Sequence, residues 1–127
     1  MNGVLDLSPS LSVLPIIYGS GDFALEVRRR LQQLDYDCLA VALPPSFASE
    51  VEKGVEYLPQ VSVVLQPEAT VEGTYSYVPI DPCQGIIAAI REAMEKGVER
   101  AYVDLETGVY EEQELILPDP YCQKPLK

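Results

Sequence analysis

The stretch Gly19-Ser20-Gly21-Asp22-Phe23-Ala24 has the G-x-G-x-x-A spacing of a turn that follows a strand and opens a helix. Glycines at these places let backbone N–H groups approach a phosphate at the positive end of a helix, so the turn is a candidate site for a nucleotide or another phosphate-bearing ligand. Two features point the other way. Asp22 sets a negative charge beside such phosphates, and the next predicted strand closes with Leu43-Pro44-Pro45, where an acidic ribose ligand is expected. A tight turn with Ser20 or Asp22 as helix cap accounts for the same residues without any ligand.

Other oxygen-bearing side chains fall just after predicted strands: Ser46, Glu68, Asp81, Asp104 and Glu106. Together with Ser20 and Asp22 they would share the carboxyl rim of a sheet, which is where open α/β sheets bind ligands. Several carboxylates there can hold a hard cation such as magnesium, although helix caps and solvated loops use the same residue types. The candidate ligand-binding set is Gly19, Ser20, Gly21, Asp22, Ser46, Asp81 and Asp104, with no catalytic residue and no metal ligand assigned. Cys83 opens a helix, where the dipole favours a thiolate, but no base accompanies it. Arg28-Arg29-Arg30 fan out around a helix axis and read as a solvated face rather than an anion patch.

The chain has no histidine. That removes Ser-His-Asp and Cys-His pairs, HExxH zinc sites and any imidazole acid or base tuned near neutrality. No cofactor is implied. With 9 basic against 20 acidic residues, the net charge of −11 repels nucleic-acid backbones and anionic membrane surfaces. Cys38, Cys83 and Cys122 leave an odd thiol with no CxxC spacing, so reduced thiols are expected. No run approaches the roughly 20 apolar residues of a membrane span, and MNGVLDLSPS lacks the basic start of a secretory signal. The expected location is the cytoplasm.

Periodicity supplies the elements that must position these residues. Strands are predicted at 13–18, 38–43, 61–66, 75–80 and 100–105, and helices at 22–34, 46–58 and 82–96. Ser46 is expected to cap the second helix, Asp81 the third with Pro82 at its first position, and Gly97 to end it in the left-handed conformation. PEATVEGT is too short for a parallel crossover, so the strands on either side of it form an antiparallel hairpin or are not neighbours. The order βαβαββαβ points to a three-layer αβα domain with a mostly parallel, Rossmann-like sheet over 12–106. Residues 1–11 are expected as an extended arm and 107–127 as a proline-punctuated tail or linker.

Three stretches carry a resemblance. IIYGSGDFALEVRRRLQQLDYDCLAVALPPSF (16–47), YVPIDP (77–82) and VERAYVDLE (98–106) resemble the N-terminal α/β unit of the erythromycin esterase, ChaN and TraB-like superfamily, including its uncharacterised bacterial branch. Active members rely on histidine and glutamate near the first turn and after the second strand. Here those places hold Tyr18-Gly19-Ser20 and Ala42-Leu43-Pro44-Pro45, and Asp104 alone aligns with an acidic family position. The resemblance therefore implies the fold without the hydrolase, metalloprotease or haem-binding chemistry. IIYGSGDFALEV is also similar to the nucleotide-binding start of sugar acetyltransferases, whose hexapeptide β-helix has no counterpart here.

The expectation is a non-catalytic or incomplete α/β domain of a larger bacterial protein, partnered by a C-terminal domain of the same protein or by a second copy. The alternative is a small-molecule module that uses the turn at 19–24. A carboxylate-based, metal-dependent hydrolase ranks third. Neither nucleic acid nor a membrane is an expected partner.

Overall fold

A computed structural model of the chain describes residues 5–68 and 72–106. The expected tail at 107–127 and the first four residues of the expected arm lie outside them. The architecture is α/β. Helix α1 (Gly21–Gln33) is capped by Ser20, whose Oγ accepts the Phe23 N–H at 3.5 Å. Asp22 in its first turn and Arg30 in its last complement the helix dipole. Ala24, Val27 and Leu31 form its buried stripe.

Helix α3 (Gly85–Lys96) is buried along most of its length and separates two apolar clusters. One gathers Val41, Phe47, Val51, Ile80, Ile87 and Ile90 among others, and the smaller one Val27, Leu31 and Ala89. Helices α1 and α3 lie side by side and run in the same direction. Their cross-links keep a nearly constant sequence offset of 64 to 65 residues, from Gly19 on Gln84 through Arg28 on Glu92 to the Leu31 carbonyl on Lys96. Lys96 also lies 5.0 Å above the Tyr36 ring. Gly97 ends α3 at φ 67, as its position predicts.

Strands β3 (Cys38–Val41) and β6 (Glu99–Tyr102) pair in parallel, and Val103 and Asp104 extend the contact by donating to the Val41 and Leu43 carbonyls at 3.1 and 3.2 Å. A 3-10 turn (Pro45–Phe47) then leads into α2 (Ala48–Glu56). Gly54 sits inside this helix because the ribbon beneath leaves no space. A Cβ there would stand 3.0 Å from Ile80 Cγ1. That ribbon is β4 (Ser62–Pro67) antiparallel to β5 (Tyr75–Ile80), the hairpin that the short connection allowed.

Several expectations need correction. Residues 13–18 form no continuous strand. Instead β1 (Leu5–Ser8) and β2 (Leu11–Val13) make an exposed antiparallel hairpin from part of the expected arm, and the chain then runs to Tyr18 without pairing. Pro15 offers no N–H and fixes φ, which interrupts a ladder at the middle of the apolar run. The described strands form three two-stranded sheets, one of them parallel, rather than a single mostly parallel sheet. Helix α3 starts three residues later than expected, with Gln84 at the N-cap, and Ser46 lies inside the 3-10 turn rather than capping α2. Among the described residues no helix is long and apolar enough to cross a membrane.

Candidate functional site

The glycine turn and the start of α3 are brought together. Gly19 adopts φ 73, which a side chain rarely does, and its N–H donates to Gln84 Oε1 at 3.0 Å. The Gln84 amide in turn donates to Asp81 Oδ2 at 3.3 Å, while Asp81 Oδ1 accepts the Cys83 N–H at 2.8 Å. Asp81 therefore folds an Asx-type turn around Pro82 and Cys83 instead of capping the helix. A Cβ on Gly21 would meet Cys83 Sγ at 3.8 Å, an ordinary contact, so no steric demand explains that glycine. Asp22 is exposed in the first turn of α1.

Ser46 belongs to a second cluster. Its N–H donates to Glu106 Oε1 at 3.1 Å, and its Oγ lies 2.6 Å from Glu106 Oε2 and 3.0 Å from Gln66 Oε1. A hydroxyl has one hydrogen, and the shorter contact to a charged acceptor takes it. Gln66 then fits best with its amide turned so that nitrogen faces the serine. Asp104 lies on the same side, where its N–H holds the Leu43 carbonyl and its Oδ1 accepts the Leu105 N–H at 2.8 Å. Glu68 is spent on the ribbon, accepting from Ser76 at 2.6 Å and from Thr74 at 3.4 Å. Local spacing revealed neither Gln84 nor Gln66 as a partner, and Glu106 was placed only as a strand-end carboxylate.

Three further carboxylates, which the sequence pattern did not single out, are held by cations. Glu52 on α2 receives Arg100 Nε at 2.6 Å, Arg100 Nη2 at 3.2 Å and the Tyr102 hydroxyl at 3.2 Å. The guanidinium holds the Glu52 carboxyl below its ordinary range, while burial, then the charge of Glu52, pushes the Tyr102 phenol up. Glu92 is 5% exposed and accepts from Arg28 Nε at 2.8 Å and from Gln32 Nε2 at 3.1 Å. Of the arginine triplet, Arg29 and Arg30 grip Glu26 and bring its carboxyl down to about 2. The Glu92 contacts tie α1 to α3 and the Glu52 contacts tie α2 to β6, whereas those of Glu26 stay within α1. They present no free acid and base at hydrogen-bonding distance from a common point.

The cavities lie elsewhere. A cleft of 800 Å³ opens between residues 9–18, α1, β3 and the start of α3, with a largely apolar lining that includes Val13, Ile16, Leu31 and Val41. A smaller one of 140 Å³ lies between α1 and α3 beside Leu58. None of the seven candidate residues lines either cavity. Among the described residues no group of three or more His, Cys, Asp or Glu side chains could hold a metal ion.

The ribbon has an unusual outer side. Cross-strand partners point the same way, so Val63 with Pro79, Leu65 with Tyr77 and Pro67 with Tyr75 share one face. Val63, Leu65, Tyr75 and Tyr77 are 49%, 59%, 58% and 68% exposed. The opposite face carries Val64, Val78 and Ile80, which pack on the core. In comparison with known proteins, the chain matches no family model, no curated protein and no solved structure.

Proposed function

We propose that the chain is a non-catalytic α/β domain that supplies an interaction surface, or half of a site, to a larger assembly in the cytoplasm. The observation that carries this reading is how the turn at 19–24 spends its polar groups. The N–H of Gly19 is given to Gln84 and that of Phe23 to Ser20, so two donors that a phosphate would use are already engaged. Asp22 adds a charge of the wrong sign for such a ligand. The bare apolar face of the ribbon is what an interaction domain needs and a solitary one does not.

In the same reading, the chain is an incomplete relative of the erythromycin esterase, ChaN and TraB-like group, and a partner domain or a second copy contributes the rest. The three-layer, Rossmann-like arrangement belongs to that assembled form. Exposed, unpaired Cys38 and Cys83 suit a reducing compartment.

Thermal unfolding with inorganic pyrophosphate, ATP or NAD tests the proposal. The expected result is no saturable rise in Tm, because a ligand stabilises only a fold that binds it. A saturable rise that Gln84→Ala alters would establish the small-molecule module instead.

A further inference from the structure

We propose that the outer face of the β4–β5 ribbon is a two-fold interface that takes a second copy of this chain. The proposal rests on reading the chain as an interaction domain and names the partner and the surface. The outer face of the ribbon is apolar throughout, whereas the inner face mixes Val64, Val78 and Ile80 with Ser62, Gln66 and Ser76, and of the two the described chain covers the inner one. The outer face consists of Val63, Leu65, Pro67, Tyr75, Tyr77 and Pro79, and Val61 precedes it at 63% exposure.

Area favours a partner of similar size. At the observed exposures these side chains leave roughly 500 Å² of apolar surface, given the ~150–250 Å² that an aromatic residue can bury. Two copies would thus remove about 1,000 Å² from side chains alone, and the backbone and rim bring the total to the about 1,200–2,000 Å² of a stable interface. Charge favours a second copy over a basic partner. No charged side chain stands among these residues in a chain of net −11, so this is a place where two acidic copies meet with little repulsion.

The face is also complementary to itself. Strand β4 carries the aliphatic side chains and β5 the aromatic ones. A two-fold axis along the strand direction lays β5 of one copy over β4 of the other at the ~10 Å spacing of packed sheets. By the register, Tyr77 then lies over Leu65 of its neighbour, Tyr75 over Pro67 and Pro79 over Val63, while the tyrosine hydroxyls reach the wet rim.

Sedimentation equilibrium of the intact chain at low and high salt tests this. The expected result is a dimer whose dissociation constant falls as salt screens the acidic surface. Leu65→Lys and Tyr77→Lys should each weaken it at least about tenfold, although each makes the chain less negative and so reduces the repulsion between copies. Circular dichroism checks that the variants stay folded. If they do not, isotope-filtered NOEs in a mixed-label sample of the unaltered chain decide, with contacts expected from the Tyr77 ring to the Leu65 methyls and from the Tyr75 ring to the Pro67 ring of the other copy. A monomer at all concentrations and both salts overturns the proposal, whether residues 107–127 or a different protein then cover the face. A dimer indifferent to both substitutions and lacking those NOEs overturns it too. Stabilisation by ATP in a sample that still dimerises would remove the preceding functional reading and leave this interface standing, whereas a monomer indifferent to nucleotides would do the reverse.

Discussion

The α1–α3 pair and the β4–β5 ribbon differ in how far the chain satisfies them. Between the helices, Glu92 has two donors, Lys96 reaches carbonyls at the end of α1, and Val27, Leu31 and Ala89 close the gap. On the ribbon, one face meets α2 and the core while the other leaves Leu65 and Tyr77 more than half exposed. Gly19, Ser20, Gly21, Asp22 and Asp81 lie at the start of the first region, where the polar groups answer one another, and Ser46 and Asp104 are likewise engaged in their own cluster. The unanswered surface is apolar and lies in the second. A search for what this chain touches should therefore begin at the ribbon.

Substitutions can break this contrast at either end. Ile90→Ala, at a side chain with no exposed surface, is expected to cost about 2–5 kcal/mol in a denaturant melt. An effect below about 1 kcal/mol would mean that α3 is less enclosed than described. Arg100→Met is expected to cost about 1 kcal/mol through the lost hydrogen bonds to a partly exposed Glu52.

The same substitution sharpens the pH dependence. Glu52 and Glu26 are held below the ordinary 4.5, so their contribution is present above that value and is lost as pH falls through the lowered range. For Glu26 the loss extends down to about 2. In Arg100→Met the part due to Glu52 is already missing at neutral pH, and the acid limb of a stability titration should be shallower. An unchanged limb would remove Glu52 from the account.

Smaller effects separate the two turn glycines. Gly19→Ala, at positive φ, should cost about 1 kcal/mol. Gly21→Ala, with its nearest neighbour at 3.8 Å, should stay within about 0.5 kcal/mol. The least effect on a monomer is expected from Leu65→Ala, whose side chain the chain itself does not cover; a monomer destabilised by more than about 1 kcal/mol would show that the face is already in use.

What could be read from the sequence was local. A cap at Ser20 or Asp22, of which the structure has Ser20, Gly97 as a terminator and the apolar repeats of three helices follow from contacts within a turn or two. The link between β4 and β5 was half legible: PEATVEGT is too short for a parallel crossover, and between a hairpin and separated strands the structure has the hairpin. The apolar run at 13–18 misled, since hydrophobicity alone counted for more there than the missing donor at Pro15. Partners distant in sequence were not legible. Glu52 and Arg100 lie 48 residues apart and Ser46 and Glu106 60 apart, so only the packed chain selects them from twenty acidic residues. For the same reason the single rim expected for Ser20, Ser46 and Asp104 became two hydrogen-bonded groups.

Gly54 gives the ribbon its seat. With only a hydrogen at that position, Ile80 and Ser62 can nestle against α2, and this fit holds their end of the hairpin close to the helix. A methyl group there would act as a shim. It would press on Ile80 and Ser62, the paired residues at one end of the hairpin, and those two side chains would have to give by a few tenths of an ångström.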